Sequence, residues 1–412
     1  MIQRRWLWGM MAALLCLPTG QAAAQTPTPS PYRVVAYYHY YDIYPENGTR
    51  LVWDIPVETI THLHYANIGI SEAGQCISVD EYADTEYLYP GDRPVERLRG
   101  NFKQLPTLRQ RNPNLQIIMV VGGWDNSHTF STVAASAEGR ERFAESCIAF
   151  MQEYGFDGIE IDWRYPVEGG RAGNAVSDAD SANLTLLIET LRGALDAASI
   201  DDDRRYLLTM QLPGVQAQYR HFEIENLHPL LDYLNLVSFG FEGSWSTMAA
   251  HIAPLYASTR DPRETEREAH SVDGAVRAYL NRGVPAQKIV VGVPFYGQAW
   301  QNVSPNDLFG LYQETGGIPN GTRAGGTLYY RDLAPFLASS DYVRYFDDLA
   351  LVPWMYNARR GIAISYENPE SIRNKAAYVR SMGLGGLMGW ALSYDSQDHR
   401  LLNAMYAGLT LP

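Results

Sequence analysis

The chain has 412 residues, 46% apolar and 19% charged, a composition that excludes a disordered chain and a bundle of membrane helices. Its formal net charge of −13 argues against a nucleic-acid partner, which would call for a basic face. The length suits one large α/β barrel with an insertion, or two average domains.

Residues 1–24 carry Arg4 and Arg5, an apolar run from Trp6 to Leu17, and the small residues Ala22 and Ala24. This is the pattern of a cleavable signal peptide, and the apolar run is too short to span a bilayer. Export to the periplasm or the outside is therefore expected, with no membrane partner. Residues 25–32 hold the proline-rich "TPTPSP", an extended leader.

Apolar, β-branched runs then alternate with helical patterns. The expected strands are Arg33–Tyr38, Ile60–Ile68, Gln116–Gly122, Gly158–Trp163, Tyr206–Leu212, Tyr233–Phe239, Lys288–Pro294 and Gly386–Trp390. Near-continuous hydrophobic runs mark parallel strands covered on both faces. Between the third and fourth strands, Phe143, Cys147, Phe150, Met151 and Tyr154 fall on one helical face, and Gly155 offers a C-terminal cap. Eight such units predict an α/β fold, a (β/α)8 TIM barrel. About 70 residues separate the seventh strand from its helix, where about 2–6 are usual. Residues 298–366 are therefore expected to form a small α+β insertion domain, with the barrel built from 33–297 and 367–412.

Cys76 and Cys147 follow the leader. Export would permit a disulfide between them; because Cys147 lies on the apolar helical face, a small core residue is the favoured reading, and the pairing stays open. No His, Cys or Asp cluster has metal-ligand spacing, and no cofactor is expected. A monomer is expected.

Functional residues of such barrels sit where strands end. The fourth strand reads "GFDGIEIDWRYP". Strand side chains alternate, so Glu160, Asp162 and Arg164 share one face while Ile159, Ile161 and Trp163 share the other. Charges aimed into a barrel are costly unless paired, and such a ladder marks a site.

The stretch Asp157, Gly158, Ile159, Glu160, Ile161, Asp162, Trp163, Arg164 resembles the D-G-x-D-x-D-W-E signature of glycoside hydrolase family 18, the chitinases. "MVVGGWDNSHTF", "THLHYANI", "VGVPFYGQAW" and "ISYENPESIRNKAAYVRSMGLGGLMGW" resemble other segments of that family, so the likeness runs over roughly residues 33 to 402. It implies a retaining reaction in which the substrate's own N-acetyl oxygen attacks the anomeric carbon, an exception to the two-carboxylate scheme. It also implies that the last signature acid protonates the leaving oxygen, with the neighbouring aspartate and a sixth-strand tyrosine holding the acetamido group.

Here the acid's position is Arg164, Glu160 replaces an aspartate, and the sixth strand has Phe239 and Gly240 where the family has tyrosine and aspartate. A guanidinium cannot give up a proton near neutrality. The resemblance therefore implies a pseudoenzyme: a secreted chitinase-like protein that binds N-acetylglucosamine-type oligosaccharides or polysaccharides without the usual hydrolysis. Sugars stack on aromatic rings, and Trp390, Trp124, Tyr296, Trp354, Tyr38 and Trp245 are the candidates, Tyr37 beside them. Arg164 is expected to neutralise Glu160 and Asp162, or to meet the carboxylate of an acidic sugar. Two alternatives stay open. One is an active glycosidase with relocated carboxylates, Glu160, Glu242 and Glu168. The other is a protein-interaction or inhibitor role.

Overall fold

The computed structural model of the protein describes residues 31–320 and 322–411. The expected signal peptide and most of the leader lie outside them. The described chain begins its barrel at Arg33–His39, the first strand, and continues with His62–Ile70, Gln116–Gly122, Gly158–Asp162, Leu207–Pro213, Tyr233–Val237, Ile289–Pro294 and Gly386–Trp390 as the second to eighth. Each runs parallel to its neighbours in sequence order, and the first pairs with both the second and the eighth, which closes the barrel. The fold is a (β/α)8 TIM barrel. Strand ends differ from the expected ones by up to two residues, where polar residues flank apolar runs.

Local chemistry explains where elements stop. The helix Ala137–Tyr154 starts at Ser136, whose hydroxyl accepts from the Gly139 amide, and ends at Gly155 in the left-handed region with φ +73°. Glycine enters that region without a Cβ penalty. The helix Pro369–Met382 begins with a reciprocal Asn368–Ser371 cap and Pro369 in its first turn. Outward strand positions pack on helices: Trp163 stacks on Phe130 at 5.2 Å between ring centroids.

The long connection after the seventh strand forms a five-stranded antiparallel sheet, ordered Thr327–Tyr329, Tyr296–Trp300, Ile362–Ser365, Val352–Asn357, Val343–Asp347. The sheet starts at Tyr296, two residues before the expected insertion, because the chain turns directly from the seventh strand into it. It is stitched to the loop after the sixth strand. Gln313–Glu314 pairs with Met248–Ala249, and Trp300 Nε1 donates to the Gly243 carbonyl at 3.0 Å.

The pairing left open above is decided against the favoured core-residue reading, since Cys76 and Cys147 form a disulfide. The short strand Cys76–Ser78 folds back antiparallel on the second barrel strand. This lays Cys76 beside the helix Ala137–Tyr154, with 5.1 Å between the Cα atoms, inside bridging range. Only tertiary structure brings residues 71 positions apart together.

Candidate functional site at the mouth of the barrel

Glu160 is fully buried. Its Oε2 accepts from Tyr37 Oη at 2.6 Å and meets His64 Nδ1 at 2.8 Å, and its Oε1 accepts from Asn235 Nδ2 at 2.6 Å. These partners come from the first, second and sixth strands, and only the barrel interior lets them meet the fourth. His64 Nε2 in turn meets Tyr233 Oη at 2.8 Å. Burial pushes the phenols of Tyr37 and Tyr233 up, with the Glu160 charge adding to it. They remain protonated donors. Both Glu160 oxygens are thus engaged, as a buried carboxylate requires.

Asp162 and Arg164 continue the ladder. Arg164 Nε donates to Asp162 Oδ1 at 2.7 Å, and its Nη2 donates to Gln211 Oε1 at 2.7 Å. Its backbone amide donates to Ser127 Oγ at 3.0 Å. The guanidinium also lies over the Trp390 ring, 5.7 Å from the centroid. Burial works against the Arg164 charge, but Asp162, with Tyr165 and Tyr37 adding to it, holds the guanidinium above its usual range. Burial pushes the Asp162 carboxyl up, with Arg164 opposing. Asp162 Oδ2, Gln211 Nε2 and Thr209 Oγ1 are buried without a protein partner.

The sixth-strand departures sit nearby. Phe239 meets Tyr296 edge-on at 6.1 Å. Gly240 takes φ +67°, and a Cβ there would come 3.2 Å from Tyr296 Oη. Burial pushes the Tyr296 phenol up to about 12, against the pull of Arg164.

Several candidates lie elsewhere. Asp157 precedes the fourth strand, at the barrel end opposite Arg164. It accepts from Arg109, Arg204 and the Ile117 amide, so it is a structural anchor rather than part of the site. Tyr38 is fully buried, its hydroxyl donating to the Arg50 carbonyl at 2.7 Å. Trp354 is buried in the inserted sheet against Tyr345 and His251, and its Nε1 donates to the Phe309 carbonyl at 3.3 Å. Neither offers a ring to a sugar, because surrounding side chains bury both. Glu242 is held by Arg263 at 2.6 Å, by Ser246 at 2.6 Å and by His270 at 3.5 Å; burial pushes its carboxyl up, but His270, Ser246 and Arg263 together keep it below the usual range. Glu168 is exposed and paired with His221 and Arg220, which lower it. Trp124 and Trp245 are 50% and 71% exposed in the loops after the third and sixth strands. Trp390 is half-buried against Tyr37 at 4.9 Å and His39 at 5.1 Å.

Sequence reasoning missed His64, Gln211, Asn235 and Tyr233. The signal was present: each is a polar group at an alternate position of an otherwise apolar barrel strand. Among the described residues, no group of His, Cys, Asp and Glu could hold a metal ion.

Comparison with known proteins decides the family. The profile described as "Glycosyl hydrolases family 18" matches residues 33–395. The chain belongs to this family. It is 37% identical to Chitinase A1 of Niallia circulans, over 92% of this chain and 58% of that protein. The chain thus spans little more than half of that relative. It is 33% identical to Endochitinase 1 of Metarhizium robertsii, over 94% of this chain and 88% of the relative. Among solved structures, Chitinase ChiA74 from Bacillus thuringiensis superposes with a TM-score of 0.85 at 31% identity, covering 92% of this chain and 69% of the other. Within family 18, the arginine at the signature's last position is this chain's departure from the pattern described above.

Proposed function

We propose that this family 18 protein binds N-acetylglucosamine-type glycans at the mouth of its barrel and does not carry out the family's hydrolysis. One observation carries the reading. Arg164 stands at the position that the resemblance assigns to the proton donor, and Asp162 and Gln211 hold it there as a charged guanidinium. A general acid typically contributes about 10²–10⁴-fold to rate, and Phe239 and Gly240 supply no substitute. Trp124 and Trp245 keep exposed indole surface beside the cleft, the kind of surface that sugars stack on. The amino-sugar class follows from the relatives named as chitinases.

The Cys76–Cys147 disulfide supports an oxidising compartment. We place the protein in the periplasm or outside the cell, as a monomer.

The relatives' names favour a second reading, hydrolysis through relocated carboxylates. The geometry weighs against it: Glu160 has partners on both oxygens, Glu242 is tied to Arg263, and Glu168 is exposed and paired. Incubation with N-acetylglucosamine oligomers, followed by chromatography, is expected to release no product, while calorimetry with the same oligomers shows binding. Product release that Glu242→Gln abolishes would sink the non-catalytic half of the proposal. Failure to bind any oligomer would sink the other half.

A further inference from the structure

Trp390 ends the eighth strand, and its ring is already in contact with a cation. Arg164 Cζ lies 5.7 Å from its centroid, within the range of a cation–π contact. Tyr37 and His39 pack on the same indole at 4.9 and 5.1 Å. Trp124 and Trp245 stand open by comparison, at 50% and 71% exposure.

The guanidinium is not free to step aside. Nε and Nη2 are tied to Asp162 and Gln211 at 2.7 Å each, and the Arg164 side chain is only 18% exposed. Asp162 is buried and its Oδ2 already lacks a partner. Withdrawing Arg164 would leave a buried carboxylate without its counter-charge, the costly way to break such a pair.

We infer that Arg164 is a built-in cap on Trp390, which takes the ring face a sugar would stack on and shifts glycan recognition outward to Trp124 and Trp245. This rests on the glycan-binding reading of the same cleft. The ligand it fits is an uncharged amino-sugar oligomer rather than an acidic sugar. Arg164 already donates to Asp162 and Gln211, so the inner position has no spare cation for an anionic group.

The test is calorimetric titration of the N-acetylglucosamine pentamer into wild type, Arg164→Ala, and the double variant Asp162→Asn/Arg164→Ala. The double variant removes the buried charge together with its partner, so it remains informative where the single one fails to fold. Thermal melts verify folding. Uncapping is expected to tighten binding about tenfold, on the scale of one aromatic contact. Adding Trp390→Ala to the uncapped protein is expected to cancel that gain. Unchanged or weaker binding by the uncapped variants, with wild type still binding, overturns the cap and leaves the glycan-binding reading standing. Binding by the uncapped variants alone supports the cap and removes that reading. Binding by none of them overturns both.

Discussion

Asp42 has no exposed surface, in the turn that follows the first strand. Its Oδ2 accepts from the His39 amide at 3.0 Å, and its Oδ1 makes no hydrogen bond, with the His39 ring nitrogen 3.9 Å away. Burial pushes its carboxyl up to about 7. An acid whose folded value is raised holds its proton longer in the folded state, so stability is lost as pH rises from the unfolded value near 4 to about 7. Asp42→Asn removes that loss. The melting temperature of the variant relative to wild type is expected to climb across this window, equivalent to a few kcal/mol at most. A constant difference from pH 4 to 7.5 would count against burial as the cause. Asp157, by contrast, is fully paired. It pairs with Arg109 and Arg204 and accepts from the Ile117 amide, so Asp157→Ala is expected to lower unfolding stability by about 3 kcal/mol in urea. Full stability in that variant would reopen a role for Asp157 in the site.

At the scale of elements, the disulfide joins the short strand beside the second barrel strand to the helix after the third. It closes a loop with a sequence separation of 71 residues. Disulfides typically stabilise by about 2–4 kcal/mol, with more expected for longer loops, in the chain-entropy account by restricting the unfolded chain. Reduction is expected to lower stability in urea by that amount, with the folded far-UV spectrum unchanged. A loss below about 0.5 kcal/mol would mean that the pair adds little beyond packing. The cleft also depends on two elements together, the ends of the fourth and sixth strands. Arg164→Glu restores an acid to the fourth strand only, because Phe239 and Gly240 still lack the phenol and carboxylate that the family pattern has there. No hydrolysis of N-acetylglucosamine oligomers is expected from that variant. Measurable turnover would show that the sixth-strand losses do not matter.

The whole molecule carries a formal charge of −13, which repels polyanions over about 10 Å at 0.1 M salt. Stacking of a neutral sugar on indole rings does not draw on that field. Affinity for N-acetylglucosamine oligomers is expected to change less than about twofold between 50 and 500 mM salt. A steep fall with salt would point to an anionic ligand and to Arg164 as its partner. The barrel is also what turns separate strands into one polar cluster: Tyr37, His64, Glu160 and Asn235 meet because the first strand pairs with the second and the eighth.

Much was legible in the residues alone. Eight apolar runs at helical spacing specify a barrel, because parallel strands covered on both faces must be apolar throughout. The fourth-strand alternation specifies which charges face inward, because the strand period is two. What residue order could not supply was partnership across the barrel. Asp157 and Asp162 stand five positions apart at opposite ends of one strand. Trp354 and Tyr38 look like sugar platforms until surrounding side chains bury them, and Cys76 and Cys147 meet only when a hairpin folds back on a helix. Arg164 stands in both accounts. Its identity is read from the sequence as the departure from the family signature; its place over Trp390, between Asp162 and Gln211, follows from the closed barrel, which brings the fourth, fifth and eighth strands to one mouth.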